Sequence, residues 1–180
     1  ASHSRGGARQ YFSADTEDPT GALPEVPDTV TSYSAGYNAF KTLPASIKNL
    51  PDLVSFDIYA NDVTDRNFYI NSDKIKTVNT GNGNQINVAD MQNKSSLETY
   101  YSHYLYGGAY DGGIDINAFV NPDGSYKFRN CTNLTLIYLY ASYYRGPIPK
   151  FAGNTKLNRV ELAFTQVSGG RSATEQDFVL

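Results

Sequence analysis

Two segments of this chain repeat one apolar spacing 23 residues apart. Leu134, Ile137 and Leu139 stand as L-x-x-L-x-L, and Leu157, Val160 and Leu162 restate it. Within such a segment positions 4 and 6 fall on one face of a short strand, because successive side chains point to opposite sides. A unit this short cannot cover its own apolar face. Self-similarity at this period therefore implies coils that stack and bury their faces against each other.

Extending the frame gives first positions at Val30, Leu53, Ile75, Leu97, Leu134, Leu157 and Leu180, with steps of 23, 22, 22, 37, 23 and 23 residues. Positions 4 and 6 are then Tyr33 and Ala35, Phe56 and Ile58, Val78 and Thr80, Tyr100 and Ser102, Ile137 and Leu139, and Val160 and Leu162. The copies at 53, 134 and 157 are strong, and those at 30, 75 and 97 are degenerate. Position 9 is Asn38 and Asn61, with Ser142 and Thr165 as small polar substitutes, but Gly83 and Leu105 interrupt it. Apolar residues stand at position 11 in Phe40, Val63, Tyr144 and Val167 and one place later in Ile86, with a break at Gly107.

The spacing, the Asn at position 9 and two linking segments together resemble the leucine-rich-repeat family. Gly146-Pro147-Ile148-Pro149-Lys150-Phe151 is similar to the plant-type G-x-I-P segment. Leu43-Pro44-Ala45-Ser46-Ile47-Lys48-Asn49-Leu50 is similar to the family's return segment, and Val167-Ser168-Gly169 to the start of a next one. The resemblance covers roughly residues 28–180. It implies an α/β-type repeat solenoid that is β-dominated and right-handed. Short parallel strands near 32–35, 55–59, 77–80, 99–102, 136–140 and 159–163 would line the concave face, with mostly irregular convex segments. Phe56, Ile58, Val78, Ile137, Leu139, Val160 and Leu162 are then expected in the core. The family's Asn side chain would bond backbone groups of adjacent turns.

Ahead of the frame, residues 1–27 are polar, and Pro19, Pro24 and Pro27 punctuate them, so an extended arm or linker is expected there. The long step of 37 places about 15 extra residues within 106–130. There Asn121-Pro122-Asp123-Gly124 lies between aromatic flanks and reads as a hairpin leaving the convex or lateral side. Leu180 occupies a first position, and the solenoid is expected to continue beyond it.

Charge and chemistry narrow the function classes. The formal net charge is −3 and charged residues make up 18%, which speaks against a nucleic-acid footprint. No apolar run reaches membrane-spanning length. One cysteine, Cys131, excludes an intrachain disulfide and reads as a small buried hydrophobe. Phosphate loops, nucleophile elbows and H-E-x-x-H are lacking, and Asp111, Asp115 and Asn117 do not form a calcium-loop frame. No enzyme activity, cofactor or metal is expected, and neither nucleic acid nor membrane as a partner.

Tyrosine is abundant, at 15 against 9 Phe and no Trp. The outward positions collect it. Position 5 reads Ser34, Asp57, Asn79, Tyr101, Tyr138 and Glu161; position 7 reads Gly36, Tyr59, Gly81, His103, Tyr140 and Ala163. Tyrosine offers large contact area at low entropic cost together with a hydroxyl for orientation. The expected contact surface comprises Asp57, Tyr59, Tyr101, His103, Tyr138, Tyr140, Arg159 and Glu161. Its partner would be a protein or a glycan. The alternative is a structural component of a larger assembly, such as a virion, tail or bacterial surface protein, where neighbouring subunits are the partners. Either role favours an extracellular, cell-surface or virion setting over the cytoplasm. Three N-x-[ST] sequons begin at Asn93, Asn130 and Asn133; the last two flank an apolar strand, where a glycan would fit poorly.

Overall fold

The computed structural model describes residues 11–13, 21–103, 117–140, 142, 144–148, 150–163 and 166–167. They form a β-dominated solenoid of parallel strands, and the one helical element among them is a 3-10 turn at Ala45–Lys48. The strands are β1 (Tyr11–Ser13), β2 (Ser32–Ser34), β3 (Ser55–Asp57), β4 (Thr64–Asp65), β5 (Thr77–Asn79), β6 (Gln85–Ile86), β7 (Thr99–Tyr101), β8 (Leu136–Tyr138), β9 (Arg145–Gly146), β10 (Arg159–Glu161) and β11 (Gln166–Val167). Seven of them make one sheet in the order β1-β2-β3-β5-β7-β8-β10. All of its neighbours are parallel. Two small parallel pairs, β4 with β6 and β9 with β11, follow the turn out of this sheet.

The register is the one the repeat frame expects. Tyr33, Phe56, Val78, Tyr100, Ile137 and Val160 are successive partners across the sheet, and so are Ser34, Asp57, Asn79, Tyr101, Tyr138 and Glu161. First positions from Val30 to Leu157 are all buried, as are positions 4 and 6 up to Leu139. Val160 and Leu162, expected in the core, are only half-buried. Their strand β10 ends the sheet among the described residues, so it has a neighbour on one side only.

The sheet also reaches further back than the frame. β1 lies within the stretch read as an arm and pairs with β2, and Leu23 is buried. No repeat of L-x-x-L-x-L marks β1; its edge position lets backbone hydrogen bonds place it without a recurring apolar pattern.

Asparagine closes the turn after the strand. Asn61 Nδ2 donates to the carbonyls of Ala35 and Ile58, each at 2.8 Å, while its Oδ1 accepts from the Phe40 amide at 3.1 Å. A short side chain with two donors and an acceptor satisfies two coils at once. In the next coil Asn84 does this work, not Gly83. It accepts from Val63 N at 2.9 Å and donates to Ile58 O and Gly81 O. The apparent lapse is a one-residue shift through Asn82 and Gly83, which both take positive φ, 54° and 91°. A Cβ on Gly83 would come 2.7 Å from the Asn61 carbonyl oxygen, so glycine permits the shift.

An antiparallel bridge closes around the Pro-Asp-Gly turn, whose tip is exposed while its flanks pack into the solenoid. Val120 and Tyr126 form the bridge, and Lys127 N donates to Phe119 O at 2.8 Å. Its flanks are pulled inward: Phe119 and Phe128 are fully buried, and Phe128 meets Tyr100 edge-on at 5.3 Å. Lys127, only 4% exposed, donates from Nζ to the carbonyls of Val88 and Asn117. The backbone then rejoins the stack, with Met91 N donating to Lys127 O and Asn130 N to Ala152 O. The aromatic flanks have more apolar surface to bury than an exposed arm could shelter. Residues 106–116 of the expected insertion lie outside the described residues.

Candidate functional site

Position 5 of each strand points away from the core, and three of its side chains turn back on their own backbone. Asp57 Oδ1 accepts from Tyr59 N at 2.9 Å, Asn79 Oδ1 from Gly81 N at 3.1 Å, and Glu161 Oε1 from Ala163 N at 3.4 Å. This two-residue link is a favoured mode for a short acceptor side chain. It sets the strand exit and brings position 7 onto the same face as position 5.

The rings then meet in a chain. Tyr101 and Tyr138, on adjacent strands, have centroids 5.7 Å apart. His103 stands edge-on to Tyr138 at 5.0 Å and lies 6.0 Å from Tyr101. Tyr138 also neighbours Tyr140 at 6.2 Å. The Arg159 guanidinium sits 5.3 Å from the Tyr138 ring centroid, and its Nη2 is 3.8 Å from Glu161 Oε2. Arginine over an aromatic face is attracted by the ring's quadrupole.

Tyr59 joins from two coils away. Its ring is 5.3 Å from that of His103 because the intervening position 7 is Gly81. A Cβ there would lie 2.8 Å from the His103 carbonyl oxygen and 3.1 Å from its Nδ1. Glycine thus lets the two rings close over the gap. Burial among these rings lowers the His103 pKa below its ordinary value of 6.5, since a desolvated imidazole resists protonation.

Beside the rings runs a groove of about 190 Å³ floored by Ser55, Asp57, Thr77, Asn79, Thr99 and Tyr101. It continues into a second hollow of about 240 Å³ bounded by Tyr37, Asp57, Tyr59, Asn79, Tyr101 and His103.

All eight residues singled out in the sequence lie on this face. Tyr59, Tyr101, His103, Tyr138, Tyr140 and Arg159 form the ring chain. Glu161 braces Arg159, and Asp57 belongs to the groove. Two participants were not anticipated. Tyr37, 80% exposed, packs against Tyr59 at 5.3 Å from a backbone with φ of 58°. Asn79 was visible in the position-5 column but carried no aromatic signal.

Cys131 donates its thiol to Met91 O at 3.0 Å, and burial pushes its pKa up to about 12. Among the described residues no cluster of three or more His, Cys, Asp or Glu could hold a metal, and no helix is long and apolar enough to cross a membrane. Comparison with protein-family models, curated proteins and solved structures returned no match.

Proposed function

We propose that this chain is a non-catalytic, leucine-rich-repeat-type module that recognises a protein or glycan through its tyrosine-rich sheet face. The family reading is supported by the buried first, fourth and sixth positions, the period of 22 to 23 residues and the two-coil bonding of Asn61 and Asn84. The binding reading is carried by one observation: half-buried rings from Tyr59 to Tyr140, with Arg159, form a continuous chain on the outward side of the sheet. Each ring is held by its neighbours before any ligand arrives. Little side-chain entropy is then lost on binding, which is the usual advantage of an aromatic contact surface.

The test is a screen of the purified chain against an oligosaccharide array and a displayed peptide library. It is repeated with Tyr101→Ala, Tyr138→Ala and Tyr140→Ala combined. The wild-type chain is expected to retain ligands that the triple variant loses, with an unchanged far-ultraviolet spectrum. Equal retention by both chains overturns the reading.

A further inference from the structure

The groove beside the rings has its own chemistry, and that chemistry discriminates between ligands. Asp57 and Asn79 are partners in register on β3 and β5, so their side chains stand about 5 Å apart on the same face. Each has one oxygen committed to the backbone two residues on, Asp57 Oδ1 to Tyr59 N and Asn79 Oδ1 to Gly81 N. That leaves Asp57 Oδ2 as an acceptor and Asn79 Nδ2 as a donor, neither with a further hydrogen bond among the described residues. The turn bonds hold both groups in place, so neither must be reoriented to receive a ligand.

We propose that this groove is a saccharide subsite, in which Asp57 and Asn79 take neighbouring hydroxyls of a neutral sugar while Tyr101 and Tyr59 face its C–H surface. The inference rests on the binding reading above and chooses between its two partner classes.

Three observations favour a neutral sugar. First, a sugar hydroxyl both donates and accepts, so adjacent hydroxyls suit a carboxylate acceptor beside an amide donor. Ser55, Thr77 and Thr99 add further hydroxyls to the floor. Second, the lining of the groove contains one acid and no lysine or arginine, which disfavours a phosphate, sulfate or carboxylate ligand. A cationic side chain would satisfy Asp57 but would give Asn79 Nδ2 no acceptor, a costly pairing once water is excluded. Third, the hollows of about 190 and 240 Å³ are smaller than the roughly 300–1,000 Å³ of an enclosed small-molecule pocket. Such a shape suits one or two units of a longer chain lying across the strands. The row from Tyr101 to Tyr138 and Tyr140 continues the platform in that direction.

The experiment uses the full chain and a panel of neutral hexasaccharides of glucose, mannose, galactose and N-acetylglucosamine. Binding is read by titration calorimetry and by saturation-transfer NMR. At least one neutral oligomer is expected to bind, with saturation transfer strongest at ring C–H protons. Asp57→Asn keeps the oxygen that accepts from Tyr59 N but turns the outward acceptor into a donor. It should weaken binding by about tenfold or more, the scale of one lost hydrogen bond to a charged group, without moving the melting temperature. Asn79→Asp should do the same by turning the outward donor into an acceptor. Absence of binding to every neutral oligomer, or binding that both variants leave intact, overturns the subsite. If peptides then bind and the triple tyrosine variant loses them, the surface reading stands and only the saccharide assignment falls. If the triple variant loses nothing, both fall.

Discussion

Two kinds of coil lie side by side in one sheet. In the coils beginning at Leu53 and Leu134, the inward positions 4 and 6 are hydrocarbon: Phe56 with Ile58, and Ile137 with Leu139. In the coils beginning at Ile75 and Leu97, position 6 is Thr80 and Ser102, and both are fully buried. The backbone treats the two kinds alike, with three-residue strands and unbroken register. The interiors differ. Thr80 Oγ1 and Ser102 Oγ are 2.7 Å apart, Ser102 Oγ is 2.6 Å from the Tyr144 hydroxyl, and Tyr144 donates to Ile86 O at 2.6 Å. Hydroxyls that would each be costly to bury alone are joined into a chain ending on a carbonyl. A repeat position thus specifies direction toward the core more strictly than it specifies hydrophobicity.

The largest expected effect breaks a hydrocarbon coil. Leu139→Ala removes a fully buried side chain and should cost about 2–5 kcal/mol in urea denaturation. A loss below about 0.5 kcal/mol would place position 6 at the surface. Next comes the hydroxyl chain. Tyr144→Phe takes the Tyr144 donor from the Ile86 carbonyl and leaves the Ser102 hydroxyl bonded to Thr80 alone, and it should cost about 1–3 kcal/mol. Pairing it with Ser102→Ala sharpens the comparison: the double variant should lose less than the sum, with a coupling of about 0.5 kcal/mol or more. Strict additivity would mean that the hydroxyls act independently.

The smallest effect lies on the outward side of the same coils. His103 has a folded-state pKa below its ordinary value because of burial. The unfolded chain therefore takes up its proton first as pH falls through about 6.5. Stability should hold above that pH and decline below it until the folded form is protonated too. Melting curves from pH 8 to pH 5 should show a shallower decline for His103→Gln than for the wild type. Parallel declines would remove His103 as the cause.

Some of the site was legible because its cause is local. Asp57, Tyr101 and Tyr138 follow directly once position 4 is known to face inward. Tyr37 escaped because it sits just past the strand, where a positive φ rather than strand alternation aims the ring. Asn84 was displaced by one residue because a positive-φ Asn-Gly step cannot be counted from an apolar pattern. The hairpin's turn was readable from Pro-Asp-Gly, but not the burial of its flanks, which depends on Tyr100 and Phe151 from other coils.

By itself the sequence determined the period, the inward face of each repeat and hence the register of the sheet from Ser32 to Glu161. These follow from side-chain alternation and from apolar surface that one coil cannot cover. Only the tertiary structure decided what fills the space between coils. Tyr144 reaches the carbonyl of Ile86, 58 residues away, and Tyr59 reaches His103 across Gly81. Such contacts depend on volumes and unspent hydrogen bonds in neighbouring coils, which a single repeat does not encode.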